Sequence, residues 1–186
     1  GIDAHIGSQI TEIQPYLDSV TRLIDTMEHL MARGLTLSHI DIGGGLGIQY
    51  RPEDTPPTPQ ALLQPIKALL KARGFSDVKL LVEPGRSIVG NAGILMTQVQ
   101  YIKYGDTRNF CIVEGGMNDL IRPALYSAWM DIVPVIERHD VDPLVVDVVG
   151  PVCESSDFLG CARELAVKPN DWLAVLDAGA YGASMA

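Results

Sequence analysis

The fold class the sequence predicts is α/β over residues 1–92, followed by a β-rich segment over residues 93–186. Two long stretches of helical periodicity alternate with three short apolar runs in the first half. Each of those runs stops at a glycine-rich or polar turn. Beyond about residue 93 helical periodicity weakens and strand-like runs follow one another.

Residues 2–6 read as a strand that runs into His5-Ile6-Gly7-Ser8. A helix follows: Ile13, Leu17, Val20, Leu23, Ile24, Met27, Leu30 and Met31 recur at three- and four-residue spacing and form one apolar face. Thr11 and Gln14 have the spacing of a capping box, and Gly34 is suited to end the helix. Ser38–Ile42 is the second strand, closed by Gly43-Gly44-Gly45-Leu46-Gly47. Four prolines between residues 51 and 59 mark a loop. Thr58 as N-cap and Pro59 at the first helical position open a second helix with Leu62, Leu63, Ile66, Leu69 and Leu70 inward and Gly74 at its end. Val78–Val82 is the third strand, closed by Glu83-Pro84-Gly85-Arg86. This alternation predicts parallel strands with helices packed outside. In α/β barrels the chemistry gathers at such strand ends. Ile94–Lys103, Asn109–Val113, Leu144–Val149 and Trp172–Asp177 are the predicted strands of the second segment.

Composition narrows the function. A net charge of −9 with no Lys/Arg run argues against nucleic acid as a partner. The three cysteines, Cys111, Cys153 and Cys161, form neither a disulfide framework nor a CxxC metal pair. No apolar run approaches the roughly 20 residues of a membrane span and no signal peptide opens the sequence, so a cytoplasmic protein is expected. The start at Gly1 without Met and the end at Ala186 without a closing element lead us to expect an internal piece of a longer protein.

The turns carry the candidate chemistry. Gly43–Gly47 lets backbone N–H groups approach an anion, which suits phosphate, or it is simply a tight turn. It has neither the spacing of a dinucleotide loop nor the Lys of a P-loop. His5 and Ser8 either face a ligand or serve as a core histidine and a helix cap. Glu83 and Arg86 either bind a polar ligand or pair with each other. Cys153, followed by Glu154 and, after two serines, Asp157, suits a proton donor, because acidic neighbours keep a thiol protonated; buried inertness is the alternative.

Taken in order, His5-Ile6-Gly7-Ser8-Gln9, Gly43-Gly44-Gly45-Leu46-Gly47, Glu83-Pro84-Gly85-Arg86, the run Met117 to Tyr126, the run Gly150 to Asp157, and Gly179-Ala180-Tyr181-Gly182 resemble diaminopimelate decarboxylases over essentially the whole chain. These enzymes depend on pyridoxal 5'-phosphate (PLP) and share an alanine-racemase-like barrel with ornithine and arginine decarboxylases. The resemblance implies the C-terminal half of a PLP-binding (β/α)8 TIM barrel, followed by most of a β-rich C-terminal domain. It implies decarboxylation of meso-2,6-diaminopimelate to L-lysine and CO2, in a homodimer whose subunits share their active sites. His5 would stack on the cofactor ring. Ser8 and the backbone of Gly43, Gly44 and Gly45 would hold its phosphate, with Gly85 and Arg86 beside them and Tyr181 adding a hydroxyl. Glu83 would bond the pyridine nitrogen, and Cys153 would be the general acid.

The far end of the substrate is a second amino-acid head. Its carboxylate suits a bidentate Arg, with Arg122 and Arg86 as candidates and Tyr126 and Tyr181 nearby; its ammonium suits Glu154. The family's cofactor-linking lysine is expected upstream of residue 1, since Lys67, Lys71, Lys79, Lys103 and Lys168 do not stand in its motif. The alternatives are a related decarboxylase of carboxynorspermidine, arginine or ornithine, or a non-catalytic pseudoenzyme.

Overall fold

The structure, a computed structural model, describes all 186 residues. They divide into two compact units: Gly1–Gln49 with Glu53–Ile88, and Tyr50–Pro52 with Val89–Ala186.

The first unit is a three-stranded parallel sheet with two helices. Its strands are β1 (Ile2–Asp3), β2 (His39–Asp41) and β3 (Lys79–Leu81), in spatial order β1-β2-β3. Ile2 lies opposite Ile40, and Ile40 opposite Leu80. The helices are α1 (Gln14–Met31) and α2 (Pro59–Ala72). The periodicity places Tyr16, Val20, Leu23, Ile24 and Met27 on one buried face of α1. They pack with Leu62, Ile66 and Leu70 of α2 and with Ile40 and Ile42. Burying each of these large side chains stabilises the unit by roughly 1.5–3 kcal/mol.

Both helices stop in the same way. Gly34 and Gly74 each adopt φ +84°. The next residue's N–H then reaches back five positions, Leu35 to Leu30 at 3.3 Å and Phe75 to Leu70 at 2.9 Å. The start of α2 is as the sequence predicts, with Thr58 Oγ1 accepting from the Ala61 N–H at 3.1 Å. The start of α1 differs. Its N-cap is Ile13, without a side-chain cap, and the Gln14 amide donates forward to Asp18 instead. Pro15 in the first turn has no N–H to be capped. The first strand is also shorter than predicted, two residues instead of five.

The second unit is a six-stranded mixed sheet in the order β6-β9-β4-β5-β7-β8. The strands are β4 (Leu95–Lys103), β5 (Asn109–Val113), β6 (Ile132–Pro134), β7 (Leu144–Val149), β8 (Phe158–Leu165) and β9 (Trp172–Val175). Only β5 and β7 pair in parallel. Val99, Cys111, Val113, Val146, Val148, Leu159, Leu165, Leu173 and Val175 form its core. Two further short helices are α3 (Gly85–Val89), which ends at the first residue of the Val89–Ala186 segment of the second unit, and α4 (Arg122–Tyr126), within the second.

Strands β6 and β8 are not expected from the sequence pattern. In β8 the in–out alternation breaks at Gly160–Ala162, where Ala162 adopts φ +51°. The inward position that follows is filled by Arg163, only 6% exposed. A charged residue facing a core disguises a strand. Arg163 is tolerated there because its guanidinium lies flat over Trp129, 3.2 Å from the ring centroid, and donates to the Met130 carbonyl at 2.8 Å. Burial pushes its pKa down. No helix is long and apolar enough to cross a membrane.

Candidate functional site

In the first unit, the three turns at the strand ends are bonded to one another. The Gly44 N–H donates to His5 Nδ1 at 3.3 Å. The Glu83 N–H donates to the Gly43 carbonyl at 2.9 Å. Arg86 Nη2 donates to Ser8 Oγ at 3.0 Å. His5, Ser8 and Glu83 are exposed, and Arg86 is buried. Ser8 and Arg86, 78 positions apart in sequence, thus meet because their strands run parallel on either side of β2.

The glycines are required by close approach. A Cβ on Gly43, at φ +69°, would lie 2.8 Å from the Ala4 carbonyl, and one on Gly44 would run into the Glu83 carbonyl. One on Gly45, at φ +94°, would strike the Gly7 carbonyl and sit 3.1 Å from the Tyr16 hydroxyl. Asp41 Oδ1 accepts from the Gly43 N–H at 2.9 Å. Gly85, by contrast, has open space where a Cβ would point, and it begins α3.

Two residues that the sequence reading left without a role support this turn. Tyr16 is 1% exposed and its hydroxyl donates to the Gly44 carbonyl at 2.9 Å. Burial pushes its pKa up to about 12, so it remains a donor. Its place four residues before Val20, on the apolar stripe, was the available signal. Gln9, at φ +55°, pairs its amide with residue 48 in both directions, at 2.7 and 3.1 Å. A cavity of about 160 Å³ lies beside the glycine turn, lined by apolar groups that include Ile42, Leu46, Leu62 and Val82.

In the second unit, Arg122 is 7% exposed at the start of α4. Its Nη1 donates to the Tyr50 hydroxyl at 3.0 Å, and its guanidinium lies 5.0 Å from the Tyr50 ring centroid. Arg51 stacks in turn on Trp129 at 4.7 Å. Residues 50–52 therefore belong to this unit through two cation–aromatic contacts. Tyr126 ends α4 and is 61% exposed. Cys153 and Glu154 are exposed on the loop between β7 and β8. The Glu154 carboxylate accepts from the Ser156 N–H and from the Ser155 and Ser156 hydroxyls, at 3.1–3.3 Å. These donors, the backbone N–H foremost, hold its pKa below the usual carboxylate value. Tyr181 sits on a turn at φ +56°, 43% exposed.

Residues 10–179 match the family described as pyridoxal-dependent decarboxylase, C-terminal sheet domain. The chain is 51% identical over 185 residues to a protein named diaminopimelate decarboxylase from Haemophilus influenzae; all of this chain is matched, and 44% of that protein. It is 50% identical over its whole length to one of the same name from Aquifex aeolicus, covering 43% of it. Among solved structures, a crystal structure of an Aquifex aeolicus protein superposes with a TM-score of 0.93 at 49% identity, over 100% of this chain and 45% of that one. The diaminopimelate decarboxylase of M. jannaschii in complex with L-lysine superposes with a TM-score of 0.92 at 38% identity, over 99% of this chain and 43% of that one. The chain spans less than half the length of these relatives.

Proposed function

Because the chain belongs to the pyridoxal-dependent decarboxylases, we propose that it is part of an enzyme that converts meso-2,6-diaminopimelate to L-lysine and CO2. The observation that carries this reading is the meeting of His5, Ser8, Gly43–Gly45, Glu83 and Arg86 at adjacent strand ends. The names of the relatives support the substrate.

The cluster suits the cofactor. Its glycine turn leaves no room for Cβ atoms, and Gly45 is its most accessible member, which suits close approach of main chain to a phosphate. Ser8 adds a hydroxyl that Arg86 already orients. His5 is exposed and its ring is fixed by the Gly44 N–H, which suits stacking on an aromatic ring. Glu83 offers a carboxylate to a pyridine nitrogen. PLP, when bound, supplies the electron sink for the pair released as CO2 leaves. The remaining work falls to the protein. Cys153 delivers a proton to the substrate carbon. Glu154, kept ionised by its three donors, meets the distal ammonium. Arg122 and Arg86 meet the distal carboxylate, with Tyr126 beside Arg122, and Tyr181 adds a hydroxyl to the phosphate.

In the same reading residues 1–92 are part of a (β/α)8 barrel, and residues 93–186 are part of a C-terminal β domain. The working form is a cytoplasmic homodimer with shared active sites.

The test uses the full-length protein: visible absorbance of the bound cofactor, then CO2 and lysine released from meso-diaminopimelate. Lysine formation supports the reading. Cofactor bound without lysine redirects it to the arginine, ornithine or carboxynorspermidine class, and absence of cofactor binding overturns it.

A further inference from the structure

Asp157 closes the sequence motif that contains Cys153, where so far it stands only as an acidic neighbour of the thiol. It is 5% exposed, and both of its carboxylate oxygens accept short hydrogen bonds from main chain. Oδ2 accepts from the Val152 N–H at 2.6 Å, and Oδ1 from the Met117 N–H at 2.7 Å. Its own backbone is committed as well. The Asp157 N–H donates to the Glu154 carbonyl at 3.1 Å, and its carbonyl accepts from the Gly150 N–H at 3.2 Å.

The residues bonded to Asp157 within its own loop are therefore Gly150, Val152 and Glu154. Cys153 lies between the last two. Its backbone is held from both sides by one residue while its thiol remains exposed. The surroundings are shaped for that carboxylate. A Cβ on Gly150 would lie 2.6 Å from Oδ2, and a Cβ on Gly116 would lie 3.1 Å from Oδ1. The second anchor, Met117, follows a turn that is itself fixed. The Gly116 N–H donates to Asp119 at 2.9 Å, and the Gly115 N–H donates to Thr97 Oγ1 at 3.0 Å. Thr97 is fully buried in β4. A chain of hydrogen bonds and covalent turns thus runs from the sheet through the 115–119 turn and Asp157 to the loop bearing Cys153.

We propose that Asp157 is a positioning residue, one that sets where the Cys153 thiol stands by pinning loop 150–157 to the Gly116–Met117 turn. This rests on the reading of Cys153 as proton donor. Two acceptors are needed, because the two N–H groups come from different segments. Asparagine has nearly the same shape but one acceptor, so it turns an NH2 group towards one of the two N–H groups.

The experiment compares wild type, Asp157→Asn and Cys153→Ser in the full-length decarboxylase. In Asp157→Asn, kcat should fall about 10- to 100-fold, the scale of a misplaced catalytic group. KM should rise as well, because Glu154, which meets the distal ammonium, stands on the same loop and is bonded to Asp157. Alkylation of Cys153 by iodoacetamide, followed by peptide mapping under native conditions, should accelerate roughly fivefold or more as the loop loosens. Thr97→Val, which removes the acceptor of the Gly115 N–H and keeps the side-chain shape, should show the same pattern more weakly and serves if Asp157→Asn does not fold. Wild-type kcat in Asp157→Asn overturns the proposal, and so does a lower kcat with an unchanged alkylation rate. Wild-type kcat in Cys153→Ser refutes the proton-donor reading instead; the alkylation rate still reports whether Asp157 pins the loop.

Discussion

The two units present their candidate residues by different means. In the first, His5, Ser8, Glu83 and Arg86 stand beyond the ends of β1 and β3, which flank β2, and the hydrogen bonds that join them run largely through glycine backbone. In the second, Cys153, Glu154 and Arg122 stand on loops or at a short helix. There, polar side chains hold them: buried Asp157 for the loop and half-buried Tyr50 for the guanidinium. Backbone placement depends on the absence of side-chain volume, and side-chain placement depends on its presence. The first should fail when atoms are added, the second when polar atoms are removed.

The largest effect is expected from adding one carbon to the first unit. Gly44→Ala puts a Cβ into the Glu83 carbonyl, where both partners are main chain and neither can rotate away. The cost should be about 3 kcal/mol or more. Cofactor binding should be lost along with it, because the turn and Glu83 must separate. Urea unfolding and cofactor titration of the full-length variant check this; unaltered cofactor affinity would show that the strand ends are not as tightly packed as described.

Alkaline pH should separate the two units next. Cys111, fully buried in the second core, has its pKa pushed by burial from 9.0 up to about 12. Tyr16 in the first core is raised from 10.0 to about 12. Both groups are neutral when protonated, so above the unfolded pKa the unfolded chain releases a proton that the folded chain keeps. Stability is complete below that value and declines as pH rises towards the folded one. The second unit should therefore weaken from about pH 9 and the first only from about pH 10. Both tryptophans, Trp129 and Trp172, lie in the second unit and report its unfolding by fluorescence. Cys111→Ala should remove most of the decline between pH 9 and 10, leaving the part due to Cys161, whose pKa burial also raises, and Tyr16→Phe should leave it in place. A decline that is undiminished in Cys111→Ala contradicts the assignment.

A smaller and more selective effect is expected at Tyr50. Tyr50→Phe keeps the ring under Arg122 and removes the hydroxyl that accepts from Nη1. Losing a hydrogen bond to a charged group costs about 1.5 kcal/mol, or roughly tenfold. If Arg122 binds the distal carboxylate, the loss should appear in KM for diaminopimelate, with cofactor binding unchanged. A change in cofactor binding alone would place Arg122 elsewhere in the mechanism.

The same contrast explains what could be read in advance. The helices, the glycine turn and the strand ends were legible, because periodicity and glycine clusters are local signals. Asp157, Tyr50 and Arg163 were not. Asp157 receives the Met117 N–H across 40 residues, Tyr50 meets Arg122 across 72, and Arg163 meets Met130 across 33. In sequence each looks like an ordinary polar or surface residue, and its role exists only once the sheet has formed. Tyr16 is the intermediate case. It stands on a legible apolar stripe, but its hydroxyl acquires a partner only when α1 reaches the Gly44 turn.

The smallest effect isolates strain from crowding within one residue type. Gly34 and Gly74 share φ +84°, yet a Cβ at either position would meet nothing within 4 Å. Gly34→Ala and Gly74→Ala should each cost only about 1 kcal/mol, the preference of an alanine for negative φ. Each should leave cofactor binding and turnover untouched. Because the two sites end different helices and their substitutions have no shared neighbour to disturb, the double variant should cost about the sum, within roughly 0.5 kcal/mol. Urea midpoints of the two single variants and the double variant settle this. A cost near that of Gly44→Ala, where φ is not left-handed, would mean that the left-handed conformation alone costs as much as the clash with the Glu83 carbonyl.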